Sequence, residues 1–305
     1  KNRRQFYHLI LGRWNVLTNK NIIPISKYIG AMVLDVDLAK IDEKTFTVIS
    51  EAFDKYNGLL FREQSLSPKQ LVKFSRLFGD LDHAPQMENG QTAVAGFPEI
   101  YIVSNILNKN KEPIGSLGAG EAVWHTDMSY LPNPPDISML YALEIPPVGG
   151  DTSLCSMVAA FNTLPDKIKT KVAHLSIKHD GTYNSGGLLR KGLREDNDPM
   201  TCAGQPHPIV CAHPRTNQPV LYLGRRRNAY IVGLEREESE DLLDSLWDYA
   251  TLPENSYTHQ WQVGDLLMWD NRATMHRRDP FDSSARRLMQ RTQIKGQIAP
   301  SAFGA

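Results

Sequence analysis

Two imidazoles and one carboxylate carry the chemistry legible in this chain. His125 and Asp127 stand two apart in Trp124-His125-Thr126-Asp127, and His276 arrives much later in Trp269-Asp270-Asn271-Arg272-Ala273-Thr274-Met275-His276. Such a trio fits the 2-His-1-carboxylate face that holds non-haem iron(II) and leaves positions open for other ligands. On an extended strand alternate side chains share a face, so His125 and Asp127 are predicted to point at one ion from one strand. The long separation from His276 suits ligands on different strands of a folded-over sheet. It does not suit a local zinc finger, whose ligands cluster in sequence.

The elements that must position these groups follow from periodicity. A strand is predicted near 31–36, a helix over 43–57 and a short strand over 58–62. A second helix begins at Ser67, which can cap it, with Pro68 in its first turn and Gln70 completing a capping box. Leu71, Phe74, Leu77 and Phe78 form its apolar face, with Gly79 as its stop. Further strands are predicted over 99–107, 136–145, 209–213, 220–223, 261–270 and 287–294, and helices near 156–163, 165–172 and 235–250. In the last strand Arg287, Met289 and Arg291 alternate onto one face, which brings both arginines to one pocket. Residues 178–208 are irregular and rich in glycine and polar groups, the mark of a binding loop or lid. Many strands with inserted helices, and no glycine-rich nucleotide fingerprint, point to a mainly β fold with flanking helices, an antiparallel double-sheet barrel or jelly roll. We expect an N-terminal arm over 1–21 and a single domain over 22–305.

Composition narrows the function classes. The 305 residues can bury a substantial core. Lys plus Arg and Asp plus Glu number 34 each, so no overall field recruits nucleic acid or an anionic membrane. Cys155, Cys202 and Cys211 form neither a close metal-binding pair nor a disulfide framework, in keeping with a reducing, cytoplasmic setting. No apolar run approaches the roughly 20 residues that span a bilayer.

With these residues in order, the chain resembles the TauD/TfdA family of iron(II)- and 2-oxoglutarate-dependent dioxygenases. The resemblance runs over about 22–295 and is strongest at 121–130, 146–152, 264–276 and 286–294. It implies a double-stranded β-helix (cupin-like), with His125, Asp127 and His276 as the iron(II) ligands and catalytic centre. It carries the co-substrate arginine onto Arg287, eleven positions beyond His276, and its assisting threonine onto Thr152 of Gly149-Gly150-Asp151-Thr152. The co-substrates implied are 2-oxoglutarate and O2, with succinate and carbon dioxide as co-products of hydroxylation. Where the hydroxylated carbon bears a leaving group, C–O or C–S cleavage would follow. An intact Asp127 argues against halogenation, because related halogenases place a small residue there to make room for chloride.

The resemblance places an anion-binding substrate residue at Arg291, four beyond Arg287. His83 is the nearest match to a histidine that approaches the same head. Two departures stand out: Arg227 falls where taurine-type enzymes carry an aromatic residue, and Glu121 falls where Asn is common. Both are candidate substrate contacts for a small organic acid, sulfonate, sulfate ester or zwitterion. Tyr183 and Asn184 lie in the lid segment, while Trp124 and Trp269 read as packing supports. The family implies a small-molecule partner and a homo-oligomer, a dimer. The competing reading is a catalytically silent jelly roll that binds a metal or small molecule.

Overall fold

The computed structural model describes residues 17–84, 94–120, 122–184 and 186–304. Most of the expected arm, residues 1–16, lies outside the described residues. Its end is ordered by a turn over Asn19–Asn21, where Thr18 and Asn21 form a reciprocal cap.

Two antiparallel-dominated sheets face one another. The larger runs, in spatial order, Ile22–Pro24, Ala31–Val33, Gly58–Phe61, Leu266–Asp270, Ile137–Glu144, Leu288–Ile294, Tyr101–Ser104 and Ser116–Leu117. The smaller runs Ser256–His259, Thr152–Ser156, Thr274–Arg278 and Ala122–His125. In the smaller sheet and at the centre of the larger one, neighbouring strands come from distant parts of the chain, the mark of a jelly roll.

Period-two alternation explains the layering. In Ile137–Glu144 the odd residues Ile137, Met139 and Tyr141 enter an outer core, and the even residues Leu140 and Ala142 enter the space between the sheets. The outer core is closed by helix Glu43–Tyr56, through Ile49 and Phe53, and by helix Pro68–Ser75, through Leu71 and Phe74. Both helices start where side-chain caps satisfy free N–H groups. Asp42 accepts from Thr45 N, and Ser67 and Gln70 form the anticipated capping box. The first helix stops at Asn57, whose left-handed backbone (φ 53°) turns the chain into the next strand. Behind the smaller sheet, helices Met157–Thr163 and Arg236–Ala250 pack against Cys155 and Met275.

Three expectations change in detail. The second helix ends at Ser75 with Arg76 as its cap, and Leu77 is exposed rather than on the apolar face. The strand carrying His125 ends there, so Asp127 sits in the following turn rather than two places along a continuous strand. His276 sits inside a strand, Thr274–Arg278, that no apolar run announced.

Candidate metal centre

His125, Asp127 and His276 each offer one ligand atom, and those atoms all lie within 4.8 Å of one another. All three residues are buried. Two are placed by strand pairing, because His125 and His276 are directly opposed across the smaller sheet. Asp127 is placed by hydrogen bonds instead. Its N–H donates to Asn271 Oδ1 at 2.8 Å, and Asn271 Nδ2 donates back to Asp127 O at 3.0 Å and to Pro135 O at 2.9 Å. Asn271 thus fastens the ligand turn to the turn between the two strands that flank it.

The carboxylate is oriented as well. Ser138 Oγ (2.8 Å) and Gln293 Nε2 (3.1 Å) both donate to Oδ2, which leaves Oδ1 toward the imidazoles. Oδ1 stands 3.6 Å from His125 Nε2 and 3.9 Å from His276 Nε2. His125 Nδ1 lies 2.8 Å from Val123 O, so its proton belongs there and the Nε2 lone pair faces the centre. Burial opposes ionisation of Asp127, but Arg291 and the two histidines outweigh it and hold the carboxyl well below its usual range. Burial and the neighbouring His125 push His276 down to about 3, against the opposing pull of Asp127, so its ring is neutral at pH 7. A deprotonated carboxylate beside imidazole nitrogens is the donor set a divalent first-row cation needs.

A small cavity opens beside this trio, lined by His125, His276, Thr152, Arg278, Arg287 and Arg291, with Leu117, Leu140 and Trp269 in its apolar wall. Arg287 is 1% exposed, yet its Nε and Nη1 have no partner among the described residues, and Nη2 reaches only Gly150 O at 3.4 Å. Burial and the nearby Arg278 push Arg287 down to about 9, with Asp151 opposing, so it remains a cation at neutral pH. A buried guanidinium with unanswered N–H groups is a strong signal for a carboxylate-bearing ligand, since leaving it unpaired is costly. Thr152 lines the same cavity.

Arg291 Nη1 donates to Asp127 Oδ1 at 3.3 Å, its Nε lacks a partner among the described residues, and its guanidinium lies over the Tyr101 ring. The other candidates fall elsewhere. His83 is exposed and does not line the cavity. Arg227 is also exposed; it stacks 3.6 Å over Tyr183 and donates to Gly187 O and Asn197 Oδ1. It is Arg225, two residues earlier, that is buried beside the centre, bridged to His125 through the backbone and donating to Tyr183 O. Glu121 lies outside the described residues. Ser138, Asn271, Gln293 and Arg278 are site residues that sequence reasoning missed. Gln293 had a signal, because it continues the alternation of Arg287 and Arg291, and Arg278 shares a strand face with His276.

Comparison with known proteins identifies the family. Residues 21–293 match the family described as Taurine catabolism dioxygenase TauD, TfdA family. A relative named (S)-phenoxypropionate/alpha-ketoglutarate-dioxygenase, from Sphingobium herbicidovorans, is 30% identical over 92% of this chain and 96% of its own. An alpha-ketoglutarate-dependent 2,4-dichlorophenoxyacetate dioxygenase from Cupriavidus pinatubonensis is 32% identical over 88% of this chain and 95% of its own. Among solved structures, a putative alpha-ketoglutarate-dependent taurine dioxygenase from Burkholderia xenovorans superposes with a TM-score of 0.75 at 33% identity, covering 92% of this chain and 91% of its own.

Proposed function

The chain belongs to the TauD/TfdA family and is an iron(II)- and 2-oxoglutarate-dependent dioxygenase, and from that premise we propose which residues do what and on which class of substrate. His125, Asp127 and His276 hold the iron. Arg287 and Thr152 hold the distal carboxylate of 2-oxoglutarate, and Arg291 takes the anionic head of a small substrate. One observation carries this reading: the three-ligand cluster and a buried arginine with two unanswered N–H groups open on one cavity.

When bound, iron(II) with 2-oxoglutarate and O2 supplies the oxidising power that hydroxylates a C–H bond, with succinate and carbon dioxide as co-products. The chain's own residues decide what is held and where. Arg287 offers a planar fork matched to a carboxylate, and Thr152 adds a single hydroxyl donor. Leu140 and Trp269 keep the cavity wall apolar, which strengthens those charged contacts. Arg291 lies on strand Leu288–Ile294, four residues beyond Arg287, which immediately precedes that strand, and both line the cavity, so a substrate anchored at Arg291 lies beside the metal ligands rather than on the co-substrate's far end.

The named relatives act on phenoxypropionate and 2,4-dichlorophenoxyacetate. In each the carboxylate neighbours an ether carbon. We assign this chain a small organic anion of that kind, hydroxylated at a carbon next to a heteroatom. The product carries a hydroxyl and an ether oxygen on one carbon; loss of the hydroxyl proton forms a carbonyl, and the C–O bond breaks as the leaving oxygen takes up a proton. The segment 178–208 serves as the lid. Its support is the Arg225–Tyr183 hydrogen bond beside the metal ligands and the exposed Leu188, Leu189 and Leu193 between the paired strands Ser176–Lys178 and Pro206–Pro208. Three free, buried cysteines favour a cytoplasmic setting, and among the described residues no helix is long and apolar enough to cross a membrane.

Steady-state kinetics of Arg291→Ala with a panel of aryloxyalkanoates, alkyl sulfates and sulfonates tests the substrate assignment. Loss of a charged hydrogen bond is expected to lower kcat/KM for the anion about 10- to 100-fold, with the KM for 2-oxoglutarate nearly unchanged. Equal impairment of both would assign Arg291 a structural role.

A further inference from the structure

Thr152 does not face the cavity unassisted. Its Oγ1 accepts the Nε1 hydrogen of Trp261 at 3.0 Å, and both side chains are buried. A hydroxyl has one proton and two acceptor positions, whereas an indole N–H can only donate. Trp261 therefore occupies an acceptor position of Thr152 and leaves the hydroxyl proton to be given elsewhere. Thr152 lines the cavity shared with Arg287, whose Nε and Nη1 await an anion.

The indole is itself fixed from behind. His259 meets its ring edge-on, with centroids 4.6 Å apart and planes at 78°. His259 also pairs with Thr152 across the ladder between Ser256–His259 and Thr152–Ser156, so the two sides of this contact share one strand register. His259 Nε2 lies 3.0 Å from Asp265 Oδ2, and the same oxygen accepts from Gln262 N at 2.8 Å and from Arg62 Nη1 at 2.7 Å. A chain of contacts thus runs from the partly exposed Arg62 to the cavity wall.

We propose that Trp261 is a positioning residue for 2-oxoglutarate: by donating to Thr152 Oγ1 it commits the threonine proton to the co-substrate's distal carboxylate. The inference rests on the reading that Thr152 and Arg287 hold that carboxylate.

The test is anaerobic calorimetry on the manganese(II)-loaded enzyme with two keto acids, 2-oxoglutarate and 2-oxovalerate, the second lacking the distal carboxylate. Trp261→Phe is expected to raise the 2-oxoglutarate Kd roughly fivefold, as for one net hydrogen bond, and to leave 2-oxovalerate within about twofold. In a Thr152→Val background Trp261→Phe should add nothing, and in a Thr152→Ser background, which keeps the hydroxyl, its effect should return. Benzothienylalanine at position 261, which replaces the N–H by sulfur and keeps the ring shape, gives the same readout if the Phe variant misfolds. An equal loss for both keto acids, no loss for either, or full additivity with Thr152→Val would overturn the proposal. If Thr152→Val itself leaves 2-oxoglutarate binding intact, the underlying reading of Thr152 fails, and the role of Trp261 with it.

Discussion

Asp127 shows how much of a metal site is built from residues that never touch the metal. Its Oδ2 is fully engaged by Ser138 and Gln293, and Gln293 Nε2 also donates to Ser138 Oγ at 3.0 Å, so the two donors brace each other. This leaves the other carboxylate oxygen, which also accepts from Arg291 Nη1, facing the imidazoles, where it would serve as the ligand atom for a cation. Partners of that kind typically matter 10- to 100-fold in metal affinity. Gln293→Leu is therefore expected to weaken manganese(II) binding by about tenfold, read by calorimetry or by electron paramagnetic resonance of free manganese. Unchanged affinity would mean that Ser138 and Asn271 suffice to aim the carboxylate. These residues are hard to find in a sequence, because a buried glutamine or serine on a strand looks like an ordinary polar face until its partner is known. His125, Asp127 and His276 stood out as a possible ligand set from residue type and spacing, whereas Thr152 and Arg287 were singled out only by the resemblance to the TauD/TfdA family.

At the scale of elements, legibility followed amphipathicity. Helix Pro68–Ser75 was readable because Ser67, Pro68 and Gln70 are start signals, and the structure contains the full reciprocal cap. Its end was not, since Leu77 and Phe78 continue the apolar spacing after the backbone has left the helix, and Phe78 packs against Phe74 from outside it. Strand Thr274–Arg278 was missed for the opposite reason. Its alternating residues Thr274, His276 and Arg278 are all polar and all buried, because they face the space between the sheets where the site lies. An N-cap loss is a local penalty. Ser67→Ala is expected to cost about 1 kcal/mol in urea unfolding without altering metal affinity. A change in metal affinity would show that this helix sets the position of the ligand strands as well as covering their sheet.

Across the whole molecule, a buried charged cluster fastens the end of strand Leu266–Asp270 to His213, which lies between strands Val210–Ala212 and Pro219–Leu221. Asp270 accepts two hydrogen bonds from the Arg272 guanidinium, at 2.9 and 2.6 Å, and a third from the Arg272 backbone N–H at 2.9 Å, and lies 3.0 Å from His213 Nε2. Burial opposes its ionisation, but Arg272 and His213 prevail and hold the carboxyl well below its usual value of 3.8. A depressed folded pKa means that the stabilisation is fully present above about pH 4 and is lost as the pH falls below it. Removing one partner of such a buried group costs on the order of 3 kcal/mol. Asp270→Asn should show most of that deficit at pH 7, and the gap from the parent protein should narrow below about pH 4 in denaturant titrations. A gap independent of pH would mean that the charge contributes nothing and only the shape of the side chain matters.

The most direct test of the site as a whole is an anaerobic visible-spectrum titration of the iron(II)-loaded enzyme with 2-oxoglutarate. A charge-transfer band is expected to grow to saturation with one equivalent. It should be lost in Asp127→Ala and require far more 2-oxoglutarate in Arg287→Ala. A subsequent shift of the band by one member of the anion panel would identify the substrate class. Folded, iron-loaded protein that never develops the band would contradict the assignment of His125, Asp127, His276, Thr152 and Arg287, and would leave a jelly roll that binds without turning over.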